Sequence, residues 1–381
     1  MNFKSLMLGA ATVATATGVQ AADLPVAPEP VDYVRVCDAY GARFYYIPGT
    51  ETCLRVGGRV RVQYVANNFG DNGAWANRAA NDLTFFARGY LYLDSRTNTE
   101  FGLLRTYTEI YGTNANGGEG FALDKAYIQW GGFTFGHATS FFDGVTGQAF
   151  IGVVGRNWSD TTTNLAAYTA AFGNGFSATA SIEDGEFREV GAYAGHKIPD
   201  FVANLRVDQG WGSAELTGAI HNVRPAVAAN SGAVGWAVGG NVVFNLPMLS
   251  SNSNIFFQAQ YADGALSYIG APGAIVSGAA AVTTLLYDAA ANGDTSTGYS
   301  LSAGAFHTIG NIGLALDTSY MSVDLGNSSI DINRWAIDGS VQWSPVSGFV
   351  MGADLGYANN SVDGAPDQDE ILFGVRVQRT F

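Results

Sequence analysis

The sequence predicts an all-β fold: one transmembrane antiparallel β-barrel, built from sixteen strands. Three observations carry that prediction. Apolar and polar side chains alternate residue by residue along most of the chain. An amino-terminal export signal is followed by no apolar run long enough for a membrane helix. The composition is rich in glycine (49), phenylalanine (23) and tyrosine (18), with only 14% charged residues. The last segment shows the alternation most plainly. Ile371, Phe373, Val375 and Val377 fall on one side, and Leu372, Gly374, Arg376 and Gln378 on the other. A strand shows this when its two faces meet different surroundings.

The export signal occupies residues 1–22. Lys4 gives the positive start, Leu6 to Val19 form a short Ala-rich apolar stretch, and Ala21 and Ala22 supply small residues for cleavage. Threonines and Gly18 break the stretch, which argues against an uncleaved membrane helix. An exported chain without a helical span is either soluble beyond the inner membrane or crosses a membrane as a barrel. Removing 22 of the 381 residues leaves 359, a length that one closed sheet can absorb. Residues 23–53 read as a Pro-rich arm and a small hairpin, and 54–381 as the barrel.

Charge narrows the function classes. Net charge is −14, and only Lys125 and Lys197 remain as lysines once the signal is removed. Soluble acidic domains carry many more. From Asp23 to Arg105 nine arginines balance nine carboxylates, whereas beyond it nine basic residues face 24 acidic ones. Nucleic acid is therefore not an expected partner, and the early arginines suggest a local positive stripe. Cys37 and Cys53 enclose 15 residues. In an exported chain such a pair is expected as a disulfide, and closing that loop stabilises by about 3 kcal/mol.

Strand by strand, Arg59, Arg61 and Gln63 alternate with Val60, Val62 and Tyr64. Leu83, Phe85, Ala87, Gly89, Leu91 and Leu93 oppose Arg88 and Tyr92, and Phe201, Ala203, Leu205 and Val207 oppose Asn204, Arg206 and Asp208. Ile312, Leu314 and Leu316 oppose Asp317 and Ser319. Charge in mid-membrane on a lipid face costs about 2–4 kcal/mol, and the apolar faces carry almost none. A β-sandwich alternates too, but its outer face normally carries Lys and Glu. Here the polar face carries Gln, Asn, Ser, Tyr and scattered Arg and Asp, as a wet lumen would. Short turns are expected at 95–98, 131–132, 173–175, 209–212, 309–311 and 345–348. Long loops are expected near 66–81, 112–120, 139–161, 183–199, 223–233, 263–296, 325–332 and 359–368. Residues 189–198 read equally as strand or loop, and 223–234 could extend its neighbours. Trp130, Phe133, Trp211, Trp343, Tyr357 and Phe381 near strand ends fit aromatic belts.

Three stretches carry a family resemblance. Residues 33–64, beginning Tyr-Val-Arg-Val-Cys-Asp-Ala-Tyr-Gly, resemble the amino-terminal signature of the alphaproteobacterial porins, the trimeric general porins of Brucella and rhizobia. Residues 124–143, from Asp-Lys-Ala-Tyr-Ile-Gln-Trp-Gly-Gly to Ser-Phe-Phe-Asp, and Pro199–Val223 are similar to later parts of that family. The resemblance implies a sixteen-stranded homotrimer among outer-membrane lipid and lipopolysaccharide, with an inward-folded third loop. It also implies that Phe381 serves as the assembly signal read by the barrel-assembly machinery. Arg379 departs from the usual apolar or aromatic residue of that signal.

The function expected is passive diffusion of small hydrophilic solutes and ions, which needs a hydrated path and a charged narrow point but no bond chemistry and no cofactor. The expected wall residues are Arg59, Arg61, Arg88 and Arg105, since arginine stays charged in a planar fork. The expected facing residues are Asp143 and Asp160 in the third loop, with Glu109 and Asp124 nearby. Arg96 reads as a turn charge beside Asp94, and Arg156 as paired within its loop. The four histidines, at 137, 196, 221 and 307, lack metal-ligand spacing. Ser140 near His137 fits the start of a loop better than a hydrolase, and Gly117-Gly118-Glu119-Gly120 lacks the Lys-Ser/Thr of a phosphate loop. The alternative is a structural or recognition barrel, an adhesin or phage receptor with an occluded lumen. Its one candidate plug, 263–296, is Ala/Gly-rich and suits a surface cap. Ion preference stays open: the net acidity argues for cations, the arginine stripe for admitting anions.

Overall fold

The computed structural model describes residues 35–69, 78, 81–227, 232–277 and 282–381. The signal at 1–22, the arm at 23–32 and much of the loop at 66–81 lie outside the described residues. Among the described residues, sixteen strands close one barrel, the two-residue strand Tyr45–Tyr46 adds to its sheet beside Cys53–Leu54, Ala274–Ser277 pairs with Val282–Leu285 as a separate hairpin, and there is no α-helix. The first eight are β1 (Cys53–Ala66), β2 (Leu83–Thr99), β3 (Gly102–Ala115), β4 (Gly118–Trp130), β5 (Phe133–Thr139), β6 (Thr162–Gly173), β7 (Phe176–Glu183) and β8 (Asp200–Gln209). The rest are β9 (Gly212–Val223), β10 (Ala233–Asn245), β11 (Asn254–Asp263), β12 (Thr297–Ile309), β13 (Ile312–Asp324), β14 (Asp331–Val346), β15 (Phe349–Val362) and β16 (Gln368–Thr380).

Each strand pairs antiparallel with the next, and β16 returns to β1 from Phe373↔Ala66 to Thr380↔Arg59. Phe381 extends that seam by one pair: its N–H donates to the Gly58 carbonyl at 2.9 Å and its carbonyl accepts from Gly58 at 3.1 Å. Closure matters because backbone groups in hydrocarbon find no water, so an open edge would be costly. The two faces invert the pattern of a soluble protein. Leu205, Leu216, Leu301 and Leu355 point outward and are 51–57% exposed, while Asn204, Glu215, Ser302 and Asp354 on the inner face are buried. Trp130, Phe133, Trp211 and Trp343 stand exposed beside short turns, on the outer surface.

At the rim that carries Phe381, most connections are two residues long, the exception being the eight residues 246–253. Two expected boundaries are corrected. Residues 95–98 belong to β2, which runs to Thr99 and turns at Glu100–Phe101. The long loop expected at 112–120 is a two-residue turn, Asn116–Gly117, with φ of 50° and 79°. Asn-Gly with both φ positive is the favoured tight hairpin, and the polar residues before it are strand continuing beyond the apolar band. Residues 189–198 are loop, with one β-bridge between Tyr193 and Pro225 and a backbone bond from Asp288 to the Val190 carbonyl at 2.9 Å.

The loop 264–296 does not arch away as a surface cap. Leu266, Tyr268, Ile269 and Leu286 are 0% exposed and pack with Phe142, Met321, Val323 and Ile332 inside the mouth. Its Ala- and Gly-rich stretches hid a short apolar anchor strong enough to fold inward. At the opposite rim, Cys37 and Cys53 are bridged, with Cα atoms 6.0 Å apart. Phe44 is buried under the bridge, and the guanidiniums of Arg55 and Arg96 lie 5.1 and 4.9 Å from its ring.

Candidate pore constriction

Between β5 and β6, residues 140–161 leave the sheet and cross the barrel interior. Their backbone N–H groups have no ladder to join and need other acceptors. The inner faces of β11 to β15 supply them. Val145 donates to Gln258 at 2.9 Å, Gln148 and Ala149 to Asp317 at 2.8 Å, and Phe150 to Ser340 at 3.1 Å. Ile151 and Gly152 donate to Asp354 at 2.6 and 3.0 Å, Asn157 to Ser319 at 3.1 Å, and Ser159 to Gln260 at 3.1 Å. Arg156 pairs with Asp317 at 3.0 Å, so it binds the wall rather than its own loop. The loop approaches so closely that two inner-face positions must lack side chains. A Cβ on Gly356 would stand 2.8 Å from Val153 and Val154, and one on Gly374 2.6 Å from Val153.

Asp143 does not present a free carboxylate to the lumen, which corrects the sequence expectation. It pairs with Arg188 at 2.8 Å, with both side chains 0% exposed, and accepts from the Ser159 hydroxyl and the Thr161 N–H. The carboxylate thus pins both ends of the loop to the turn Gly185–Arg188. Arg188 comes from a distant connection, which local spacing could not show. Asp160 is exposed, and desolvation by the folded loop together with the nearby Asp143 carboxylate pushes its pKa up.

On the inner face of β1 to β3 stand the four arginines named from sequence. Arg59 lies 3.9 Å from the Tyr90 ring centroid, and its guanidinium is 4.0 Å from Glu109. Arg61 donates to Gln378 at 3.1 Å, and Arg88 to Thr113 at 2.7 Å and to the Tyr90 hydroxyl at 3.2 Å. Arg105 belongs to a different group: with Arg55 and Arg96 it holds the buried Asp94, at distances of 2.8–3.4 Å. Glu109 is buried and accepts from the Tyr107 hydroxyl at 3.0 Å. Asp124 sits at the register shift between β3 and β4, next to Lys125. Ser140 and His137 turn to different partners, the Phe142 N–H and Asn164.

Sequence reasoning missed Arg376. It donates to Gln63 at 2.8 Å and to the Phe150 carbonyl, so β16 grips the loop tip. Its place on the polar side of the last strand was visible, but not the loop that reaches it. Asp317, Asp338 and Asp354 were likewise legible only as inner-face residues. The free space is lopsided. The side chains of Arg59 and Arg105 keep 24% and 23% exposure, whereas Asp317 on the wall that the loop covers keeps 0%. Loop 140–161 therefore fills the β11–β15 side and leaves the arginine side of the lumen to solvent.

The model of the porin subfamily matches residues 23–372. The porin Omp2b of Brucella suis biovar 1 is 40% identical over 242 residues, covering 56% of this chain and 64% of that protein. The porin Omp2b of Brucella canis matches over the same shares. The chain thus spans somewhat under two thirds of the length of these relatives. Among solved structures, the outer membrane channel DcaP of Acinetobacter baumannii superposes with a TM-score of 0.70 at 16% identity, covering 88% of this chain and 99% of that one. An anion-selective porin from Comamonas acidovorans gives 0.56 at 14% identity, covering 87% and 100%. At those identities the likeness is one of fold. With a closed sixteen-stranded sheet that is apolar outside and polar within, the chain belongs to the porin subfamily and resides in the bacterial outer membrane as a multi-pass β-barrel.

Proposed function

We propose that the barrel is a water-filled channel for passive diffusion of small hydrophilic solutes and ions. The observation that carries this reading is the lopsided lumen: solvent reaches the arginine-bearing inner face of β1 to β3, while the facing wall is sealed by loop 140–161. A hydrated path bounded by fixed charge sets size and charge preference without bond chemistry. Arg59, Arg61 and Arg88 form the charged wall of the narrow point, with Glu109, Asp124 and Asp160 as its acidic members. Arg105 tunes the wall from the Asp94 cluster. Self-association as a homotrimer accords with the family, as does a setting among outer-membrane lipid and lipopolysaccharide. Residues 1–22 direct export, and Phe381 is the residue for the barrel-assembly machinery.

The test is a planar-bilayer recording of purified protein in potassium chloride. Stepwise conductance in sets of three is the expected result. A correctly folded barrel with no conductance would refute the channel reading, and the loop 264–296 would then have to be read as a plug.

A further inference from the structure

Three guanidiniums crowd a single ring. Their distances to the Tyr90 centroid are 3.9 Å for Arg59, 5.6 Å for Arg61 and 5.8 Å for Arg88. The β1–β2 register explains the convergence, since Arg61 lies opposite Arg88 and Arg59 opposite Tyr90. Like charges placed directly across a sheet repel, so the cluster calls for countercharge. The protein supplies little. Among the described residues the nearest carboxylate is Glu109, 4.0 Å from Arg59, beyond hydrogen-bond reach. Among the described residues, Arg61 engages only its Nε, Arg88 leaves one terminal nitrogen unused, and the buried Nε of Arg59 has no acceptor.

Four acids elsewhere in the barrel are committed. Asp317 and Asp354 hold the amides of loop 140–161, Asp143 holds Arg188, and Asp94 holds three other arginines. A chain of net charge −14 therefore turns unpaired positive charge toward its open lumen. Arginine forks match carboxylate and phosphate oxygens in pairs. The rings of Tyr90 and, under Arg88 at 4.2 Å, Tyr111 hold the forks in place, so little side-chain freedom is lost on binding.

We infer that Arg59, Arg61 and Arg88, gathered on Tyr90, form a station that binds small doubly charged oxyanions in transit. The inference rests on the channel reading above and gives the preferred solute a chemical class. Occupancy must be brief, because a site that held its ion tightly would block the passage.

The experiment uses the full mature protein in planar bilayers, with inorganic phosphate as the probe at pH 8 and ionic strength held constant with chloride. Phosphate is expected to reduce the chloride current reversibly and in proportion to occupancy. Arg61→Gln with Arg88→Gln is expected to raise the half-blocking concentration at least tenfold. Arg206→Gln, whose guanidinium is already paired with Asp208 and Glu215 on the far wall, is expected to change it less than twofold. Arg61→Lys, which keeps the charge and loses the fork, falls between. Normal chloride current in the wild type with no phosphate effect overturns the station and leaves the channel standing. Absence of any current in the wild type overturns both. The wild-type titration decides the matter even if a variant fails to fold.

Discussion

Replacing Asp317 with alanine should loosen loop 140–161 without opening the barrel. The carboxylate is fully buried and accepts from the Gln148 and Ala149 amides at 2.8 Å and from Arg156 at 3.0 Å. Removing one partner of a buried ionic set costs about 3–5 kcal/mol. The freed donors can meet lumen water, so the lower end applies, about 3 kcal/mol, which raises the detached population of this stretch about a hundredfold. Asp354, Ser340 and Gln258 still hold the flanking amides, so the segment flickers rather than leaves. Single-channel recordings should show excess current noise. Protease should cut near residues 148–156 in detergent, while the barrel itself keeps its resistance to unfolding in SDS. Asp317→Asn, retaining one acceptor oxygen, should be intermediate. If Asp317→Ala matched the wild type in both noise and protease resistance, the wall carboxylates would not be what positions the loop.

Gly356→Val puts a side chain where Val153 and Val154 already stand 2.8 Å from the added carbon. It should cost about 1–3 kcal/mol and push the loop toward the arginines, giving a smaller unitary conductance; an unchanged conductance would contradict the packing argument. Asp160 has a raised pKa, so it takes up a proton before an ordinary carboxylate as pH falls. Anion preference should therefore increase as pH drops from neutrality toward the usual carboxylate range, and folding strain from this group should ease in the same direction. Reversal potentials in a salt gradient check this, and Asp160→Asn should weaken the trend. Loss of the disulfide through Cys37→Ser with Cys53→Ser should weaken the rim hairpin by about 3 kcal/mol and expose it to protease. The β1–β16 seam, which begins at Arg59, should keep its SDS resistance; a barrel that unfolds with the hairpin would refute that separation.

Much of this was legible in the chain. Alternation alone assigned Arg59, Arg61, Arg88 and Arg105 to the inner face, and it placed Leu205 and Leu316 outside, because strand period two maps sequence parity onto sides of a sheet. The cysteine pair was readable from export and spacing. Loop lengths were less secure where polar strand extended past the membrane, as before Asn116–Gly117. The fate of individual charges was not legible. Nothing near Asp143 in sequence announces Arg188, and nothing near Arg376 announces the Phe150 carbonyl.

The sequence by itself determined the barrel, its two faces and which arginines look inward, since each follows from a rule of neighbours along the chain. Only the tertiary structure decided which carboxylates are spent on holding loop 140–161 and which cations stay unpaired. Those outcomes depend on contacts between residues far apart in the chain, 45 positions for Asp143 with Arg188 and 169 for Gln148 with Asp317, and on the space left by Gly356 and Gly374. Charge parity is local, whereas charge neutralisation is a property of the assembled interior.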